Sequence, residues 1–192
     1  MRIYLLRHTS LSIEPDIFYG QSDIDVSDSF ENEVNNIKDK ISKLNIYDEK
    51  MKIISSPLTR CKKLARALFS DFSVEERIKE LNFGDWENKN IKQIPKEQLE
   101  NWKNNIMSFQ IPNGESNNEF YQRVKKFCDE IIYINQDIFI IAHAGSINCI
   151  ISYLAKIPFD KLVIENWKKI SYGSISLLNK KEKNFELDLF GV

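Results

Sequence analysis

Arg2-Ile3-Tyr4-Leu5-Leu6-Arg7-His8 and Ile138-Phe139-Ile140-Ile141-Ala142-His143 are the two stretches that decide the fold. Each is a short apolar run closed by a histidine, and these are the only 2 histidines in the chain. Runs of this kind read as strands buried on both faces, as in a parallel sheet. In open α/β sheets ligands bind in the crevice beyond the carboxyl ends of the strands. A single histidine at such a place is most often a hydrogen-bonded structural residue. Two at equivalent positions, one beside Arg7, point to a paired site.

Outward from these strands, helices and strands alternate. Phe30, Val34, Ile37, Ile41 and Leu44 recur at helical spacing and predict a helix over about 28–45. Met51 to Ser55 reads as a second strand. Ser56-Pro57 supplies an N-cap and a first-turn proline for a helix over about 57–69. Residues 72–76 read as a short strand and 88–112 as an inserted helical cap. Asn113-Gly114-Glu115 turns the chain into a helix over about 116–134. After His143, Gly145 allows a tight turn into a helix that Pro158 ends. Two final strands, about 173–178 and 184–190, are joined by a polar turn from Asn179 to Lys183. The expected fold is α/β: a three-layer αβα sandwich with a mainly parallel central sheet and a small helical cap insertion at about 80–115, all within one domain spanning 1–192.

Composition narrows the classes of function. With 27 basic and 28 acidic residues the net charge is −1, which gives no support for a nucleic-acid or membrane partner. Cys61, Cys128 and Cys149 are far apart, each inside a predicted helix, and read as small buried hydrophobes rather than a disulfide framework. A strand begins within three residues of the N-terminus and no apolar stretch approaches membrane-spanning length, so a cytoplasmic location is expected.

Several segments converge on one sheet edge. Arg7-His8-Thr9 leaves the first strand, Ser55-Ser56-Pro57-Leu58-Thr59-Arg60 the second, and His143-Ala144-Gly145-Ser146 the later one. They offer two guanidinium groups, two imidazoles and helix N-terminal amides, all suited to a phosphate dianion. Between them in sequence lies the carboxylate-rich run Glu80-Leu81-Asn82-Phe83-Gly84-Asp85-Trp86-Glu87. Two histidines without HxxxH or HExxH spacing make a poor metal-ligand set.

Taken in order, Arg7-His8-Thr9, Ser56-Pro57-Leu58-Thr59-Arg60, the Glu80 run, Asn113-Gly114-Glu115-Ser116 and His143-Ala144-Gly145 resemble the histidine phosphatase superfamily, also called phosphoglycerate mutase-like. The resemblance implies a nucleophilic His8 that becomes phosphorylated, with Arg7, Arg60 and His143 holding the phosphoryl group and Thr9 assisting. Glu80 matches the family's general acid. No metal or other cofactor is implied, and the implied partner is a small-molecule phosphomonoester. Thr9 departs from the glycine more usual there. Tyr19-Gly20-Gln21-Ser22-Asp23, Arg60-Cys61 and the Leu81–Glu87 run carry a closer resemblance to alpha-ribazole phosphatases, which remove the 5′-phosphate of alpha-ribazole phosphate in cobalamin nucleotide-loop assembly. That resemblance adds Tyr19, Gln21 and Ser22 as substrate-binding residues, and Tyr19, Phe83, Trp86 and Trp102 as an aromatic wall or as packing of the cap. The alternatives on the same fold are a broad-specificity small-molecule or sugar phosphatase, a phosphoglycerate mutase and an inactive phosphate-binding module.

Overall fold

The computed structural model describes residues 1–46, 50–166, 169–182 and 184–192. Six strands form one sheet: β1 (Arg2–Arg7), β2 (Lys52–Ser55), β3 (Ser73–Val74), β4 (Ile138–Ala142), β5 (Ile175–Lys180) and β6 (Phe185–Leu189). Their order is β3-β2-β4-β1-β5-β6. The first four run parallel, whereas β5 lies antiparallel to β1 and β6 antiparallel to β5. The expected mainly parallel α/β sandwich is the observed one. The last two strands form the antiparallel edge common in such sheets. Part of their connecting turn, Lys183, lies outside the described residues.

Side-chain alternation along the central strands divides the core in two. Ile3 and Leu5 of β1 and Ile138 and Ile140 of β4 face one layer, packed with α4 (Asn117–Ile131) and α5 (Ala144–Ala155). Tyr4 and Leu6, with Phe139 and Ile141, face the other, against α1 (Phe30–Lys43) and α2 (Thr59–Leu68). Burying a side chain such as Phe139 on either face stabilises the fold by about 1.5–3 kcal/mol. Both faces being covered explains why the runs are continuously apolar. α4 starts where the sequence suggests, at Ser116, whose hydroxyl accepts from the Glu119 amide while the Glu119 carboxylate accepts from the Ser116 amide.

Two expectations are corrected. Ser56 does not cap α2; the cap position is Leu58, and the Asp23 carboxylate arrives from a distant loop to accept bonds from the Thr59 amide and hydroxyl, both at 2.7 Å. Ser56 is held instead by a histidine, as described below. Pro158 is not only a stop. α5 already ends at Ala155, with Lys156 left-handed at φ 59°, and Pro158 directly precedes an unexpected helix, α6 (Phe159–Asn166). Proline is as suited to opening a helix as to ending one, so the residue alone does not distinguish the two.

Between β3 and α4 the chain forms three 3₁₀ turns and one short helix, α3 (Lys96–Asn104). Trp86 is buried there with its indole N–H on Gln98 and its ring beside Phe18, Trp102 and Phe109. Gly84 fixes how this segment leaves the core. It has φ 47°, and an added Cβ would lie 2.2 Å from the Pro112 carbonyl oxygen and 2.4 Å from the Gly114 nitrogen. Gly84→Ala should therefore destabilise the fold by at least about 1–2 kcal/mol, read as a lower denaturant midpoint at unchanged slope. A variant as stable as the parent would contradict this close approach.

Candidate active site

β1 and β4 are neighbours in register, with Arg7 opposite Ala142, so His8 and His143 leave the sheet side by side. Their ring centroids are 5.1 Å apart and nearly edge-to-face. Both are fully enclosed, at 1% and 0% exposure. His8 Nδ1 lies 2.8 Å from the Thr9 carbonyl oxygen. A carbonyl can only accept, so in the neutral ring Nδ1 carries the proton and Nε2 keeps its lone pair. His143 has the opposite tautomer: its Nδ1 accepts from Arg60 Nε at 3.3 Å, and its Nε2 donates to Ser56 Oγ at 2.7 Å. Ser56, expected as a helix cap, thus orients the His143 imidazole.

Burial, and then Arg7 and Arg60, hold the His8 pKa well below its ordinary value. Burial, then Arg60 and His8, do the same to His143. Cys61 Sγ lies 3.6 Å from His143 Nε2, but burial pushes its thiol up to about 12, so it remains a neutral packing group.

Arg60 is fully buried in the first turn of α2, where the remote cap by Asp23 anchors it. Its terminal nitrogens donate to the Ser22 carbonyl at 2.8 Å and the Gly20 carbonyl at 2.6 Å. Arg7 donates to the Ile170 carbonyl at 2.7 Å, and its guanidinium lies 3.9 Å from the Tyr172 ring centroid. Neither arginine forms an ion pair among the described residues. Arg7 Nε and Thr9 Oγ1 are buried without a hydrogen-bond partner. Unpaired buried donors and cations beside a free imidazole nitrogen are what an oxyanion needs.

Glu80 is half-buried at the mouth of this group. Its carboxylate accepts from the Gly145 amide at the start of α5 and from its own neighbour's amide, Leu81, both at 3.0 Å. Arg123 on α4 braces it from behind, paired with both Glu115 carboxylate oxygens at 2.8 Å and donating to the Glu80 carbonyl at 3.2 Å. The Asn113-Gly114-Glu115 motif has its explanation here, because Glu115 also accepts from the Asn82 amide and so pins the Glu80 loop. The other nearby carboxylates are occupied structurally. Asp85 accepts from Asn113, and Glu87 from the amides of Gln21, Ser22 and Phe83 and from the Ser22 hydroxyl.

Next to Glu80 opens a cleft of about 290 Å³, walled by Tyr19, Phe83 and Trp102 from the expected aromatic set and also by Phe18, Phe120, Phe159 and Val163. Trp86 lies behind this wall. Gln21 and Ser22 are turned away: Gln21 Nε2 donates to the Glu80 carbonyl, and Ser22 is held by Glu87 and Asn88. They fix the loop around Arg60. The sequence reading missed Tyr172, whose hydroxyl is 3.0 Å from that of Tyr19 over the arginines, and Asn148 inside the cleft. Tyr172 carried no signal of its own. Asn148 did, as a carboxamide inside the apolar run Ile147-Asn148-Cys149-Ile150-Ile151.

Comparison with known proteins adds a family. The model of the histidine phosphatase superfamily, branch 1, matches residues 3–192. The chain belongs to the histidine phosphatase superfamily. Among curated relatives, it is 29% identical over 171 residues to a candidate phosphoserine phosphatase of Hydrogenobacter thermophilus, covering 84% of this chain and 82% of that protein. It is also 29% identical to a candidate phosphoglycerate mutase of Escherichia coli, covering 82% of this chain and 76% of that protein. Among solved structures, the alpha-ribazole phosphatase of Shigella flexneri superposes with a TM-score of 0.83 at 24% identity, over 100% of this chain and 96% of that one. This last likeness concerns the fold.

Depressed histidine pKa values have a measurable sign. The unfolded chain takes up protons on both histidines below about pH 6.5, whereas the folded chain does not. Stability should therefore fall as pH drops below 6.5, by up to ~1.4 kcal/mol per pH unit for each histidine. In a proton NMR titration of the ligand-free protein, both imidazole signals should stay flat from pH 8 to 6. A midpoint at or above 6.5 for either would contradict the buried, cation-flanked geometry.

Proposed function

We propose that this chain is a phosphomonoesterase that works through a phosphohistidine on His8. The observation that carries the reading is the His8 tautomer: Nδ1–H is committed to the Thr9 carbonyl, leaving Nε2 as a neutral nucleophile beside two guanidiniums without carboxylate partners. The depressed pKa keeps that lone pair free at neutral pH. Arg7 and Arg60 neutralise the phosphoryl oxygens, and His143, whose Nε2 proton is committed to Ser56 Oγ, accepts from Arg60 Nε and so helps to hold that guanidinium in place. Thr9 Oγ1 and Arg7 Nε, buried without partners, are two more groups suited to those oxygens.

The reaction proceeds in two displacements. His8 Nε2 attacks phosphorus, the P–O bond to the leaving group breaks, and Glu80 gives the departing alkoxide its proton. Water then attacks the phosphohistidine and gives a proton back to Glu80, the P–N bond breaks, and inorganic phosphate leaves. Gly145 and Leu81 hold the carboxylate at the cleft where a leaving group sits.

For the substrate we propose alpha-ribazole 5′-phosphate. The aromatic cleft, with Tyr19, Phe83 and Trp102 in its walls, supports a flat leaving group. The Tyr19–Asp23 and Leu81–Glu87 runs support the same subgroup. A place in cobalamin nucleotide-loop assembly, in the cytoplasm, belongs to this reading.

Incubation with substrate should yield an acid-labile, base-stable phosphoenzyme that His8→Ala abolishes along with turnover. Glu80→Gln keeps the shape but removes the transferable proton, so hydrolysis of an alkyl phosphate should fall by about 10²–10⁴. Phosphorylation by nitrophenyl phosphate, whose leaving group needs little protonation, should fall far less. Equal slowing of both in single-turnover phosphorylation would remove Glu80 as the acid. Phosphate trapped on serine or cysteine would remove the whole scheme.

A further inference from the structure

Asn148 lies on α5, a helix whose buried residues are otherwise mostly apolar, and is only 2% exposed. Its Oδ1 is buried and has no hydrogen-bond partner. Leaving a buried carboxamide oxygen without a donor is unfavourable, and such atoms are few in folded proteins. This one belongs to a residue that lines the cleft beside Glu80. Ala144, Gly145 and Asn148 line the same cleft from one side of α5, and it is the Gly145 amide that anchors the Glu80 carboxylate. Asn148 follows Gly145 by three residues, about 4.5 Å further along the helix axis. Asn148 thus stands just under one helical turn from the amide that holds the Glu80 carboxylate.

The rest of the cleft limits what a group bound beside Asn148 can belong to. Phe120 comes from α4, Phe159 and Val163 from α6, and Phe83 and Trp102 from the segment between β3 and α4. Among the described lining residues the only charged groups are Arg7 and Glu80, both at the phosphoryl end. A leaving group carrying a carboxylate would be brought against apolar rings and, among the described lining residues, would find no cation beyond the Arg7 that serves the phosphoryl group, which is disfavoured.

We propose that Asn148 is the specificity residue of this site: its carboxamide oxygen accepts a hydrogen bond from a hydroxyl close to the scissile oxygen of an uncharged, aromatic-bearing alcohol. The substrate class is thus a neutral polyol monophosphate with a flat apolar substituent, and phosphorylated hydroxy acids and amino acids are excluded. This rests on the phosphomonoesterase reading and assigns it a determinant. In a ribose 5-phosphate the 3′-hydroxyl is the donor that fits, since it lies a few bonds from the phosphoester oxygen.

The test compares kcat/KM of the purified full chain on benzimidazole riboside 5′-phosphate, its 3′-deoxy analogue and phosphoserine. The wild type should prefer the hydroxylated compound over its deoxy analogue by about tenfold or more, because the deoxy compound leaves the buried acceptor unpaired. It should also prefer it over phosphoserine. In Asn148→Leu the ratio within the riboside pair should collapse to within about twofold of unity. Asn148→Ser, which keeps a small polar group, serves the same comparison if the leucine variant fails to fold. A wild-type ratio near one, a preference for phosphoserine, no turnover of either riboside, or a ratio unmoved by substitution would each overturn the assignment. Phosphohistidine formation from phenyl phosphate by the wild type separates the two levels. If His8 is phosphorylated and the riboside ratio fails, only the role of Asn148 falls; if no phosphohistidine forms, the phosphomonoesterase reading itself falls.

Discussion

A fully buried guanidinium without a carboxylate partner sets the terms for this site. Arg60 is 0% exposed and held by two backbone carbonyls and one imidazole nitrogen. Carbonyl oxygens orient a cation but do not neutralise it. Enclosing such a charge is costly, and half-buried Arg7 beside it is also without an ion-pair partner among the described residues. The consequences spread to both neighbouring histidines, whose charged forms are disfavoured by burial and by these cations together. The same field that keeps His8 neutral attracts a dianion. One arrangement therefore supplies both the neutral imidazole and the cations that the proposed phosphohistidine chemistry uses.

Holding that charge in place takes much of the loop structure. The Tyr19–Asp23 segment contributes two carbonyls to Arg60 and, through Asp23, the cap of the helix that carries it. Glu87 in turn gathers the amides of Gln21 and Ser22. The Glu115–Arg123 pair and the glycine contacts at Gly84 and Gly114 fix the loop that presents Glu80. Polar groups that look like binding residues in sequence thus serve largely as a frame. Of the four buried side-chain atoms without a partner among the described residues, Arg7 Nε and Thr9 Oγ1 belong to the neighbours of His8, Asn148 Oδ1 to a residue that lines the cleft, and the fourth is Ser174 Oγ just before β5.

The sequence by itself determined the sheet and the edge at which both histidines stand. β1 and β4 are legible because a strand covered on both faces must be apolar throughout, and a histidine after such a run can only lie at the strand's end. Arg7, Arg60 and Glu80 were legible through ordered motifs. Tertiary structure alone decided that β1 and β4 are neighbours in register, which is what brings the two imidazoles to 5.1 Å. It also decided the tautomers: the His8 one through the backbone conformation that turns the neighbouring Thr9 carbonyl onto its ring, and the His143 one through Arg60 of α2 and Ser56 just after β2, which packing brings to it. Asp23 takes the capping part expected of Ser56 for the same reason. A helix amide can be capped by any acceptor that reaches it, and reach is a property of the folded chain. α6 and the cleft wall it adds were hidden because proline marks helix starts and stops alike, and the meaning of Asn148 waited on what stood opposite it. Local pattern fixes which faces must be buried; which polar atoms then meet is settled only when distant segments pack.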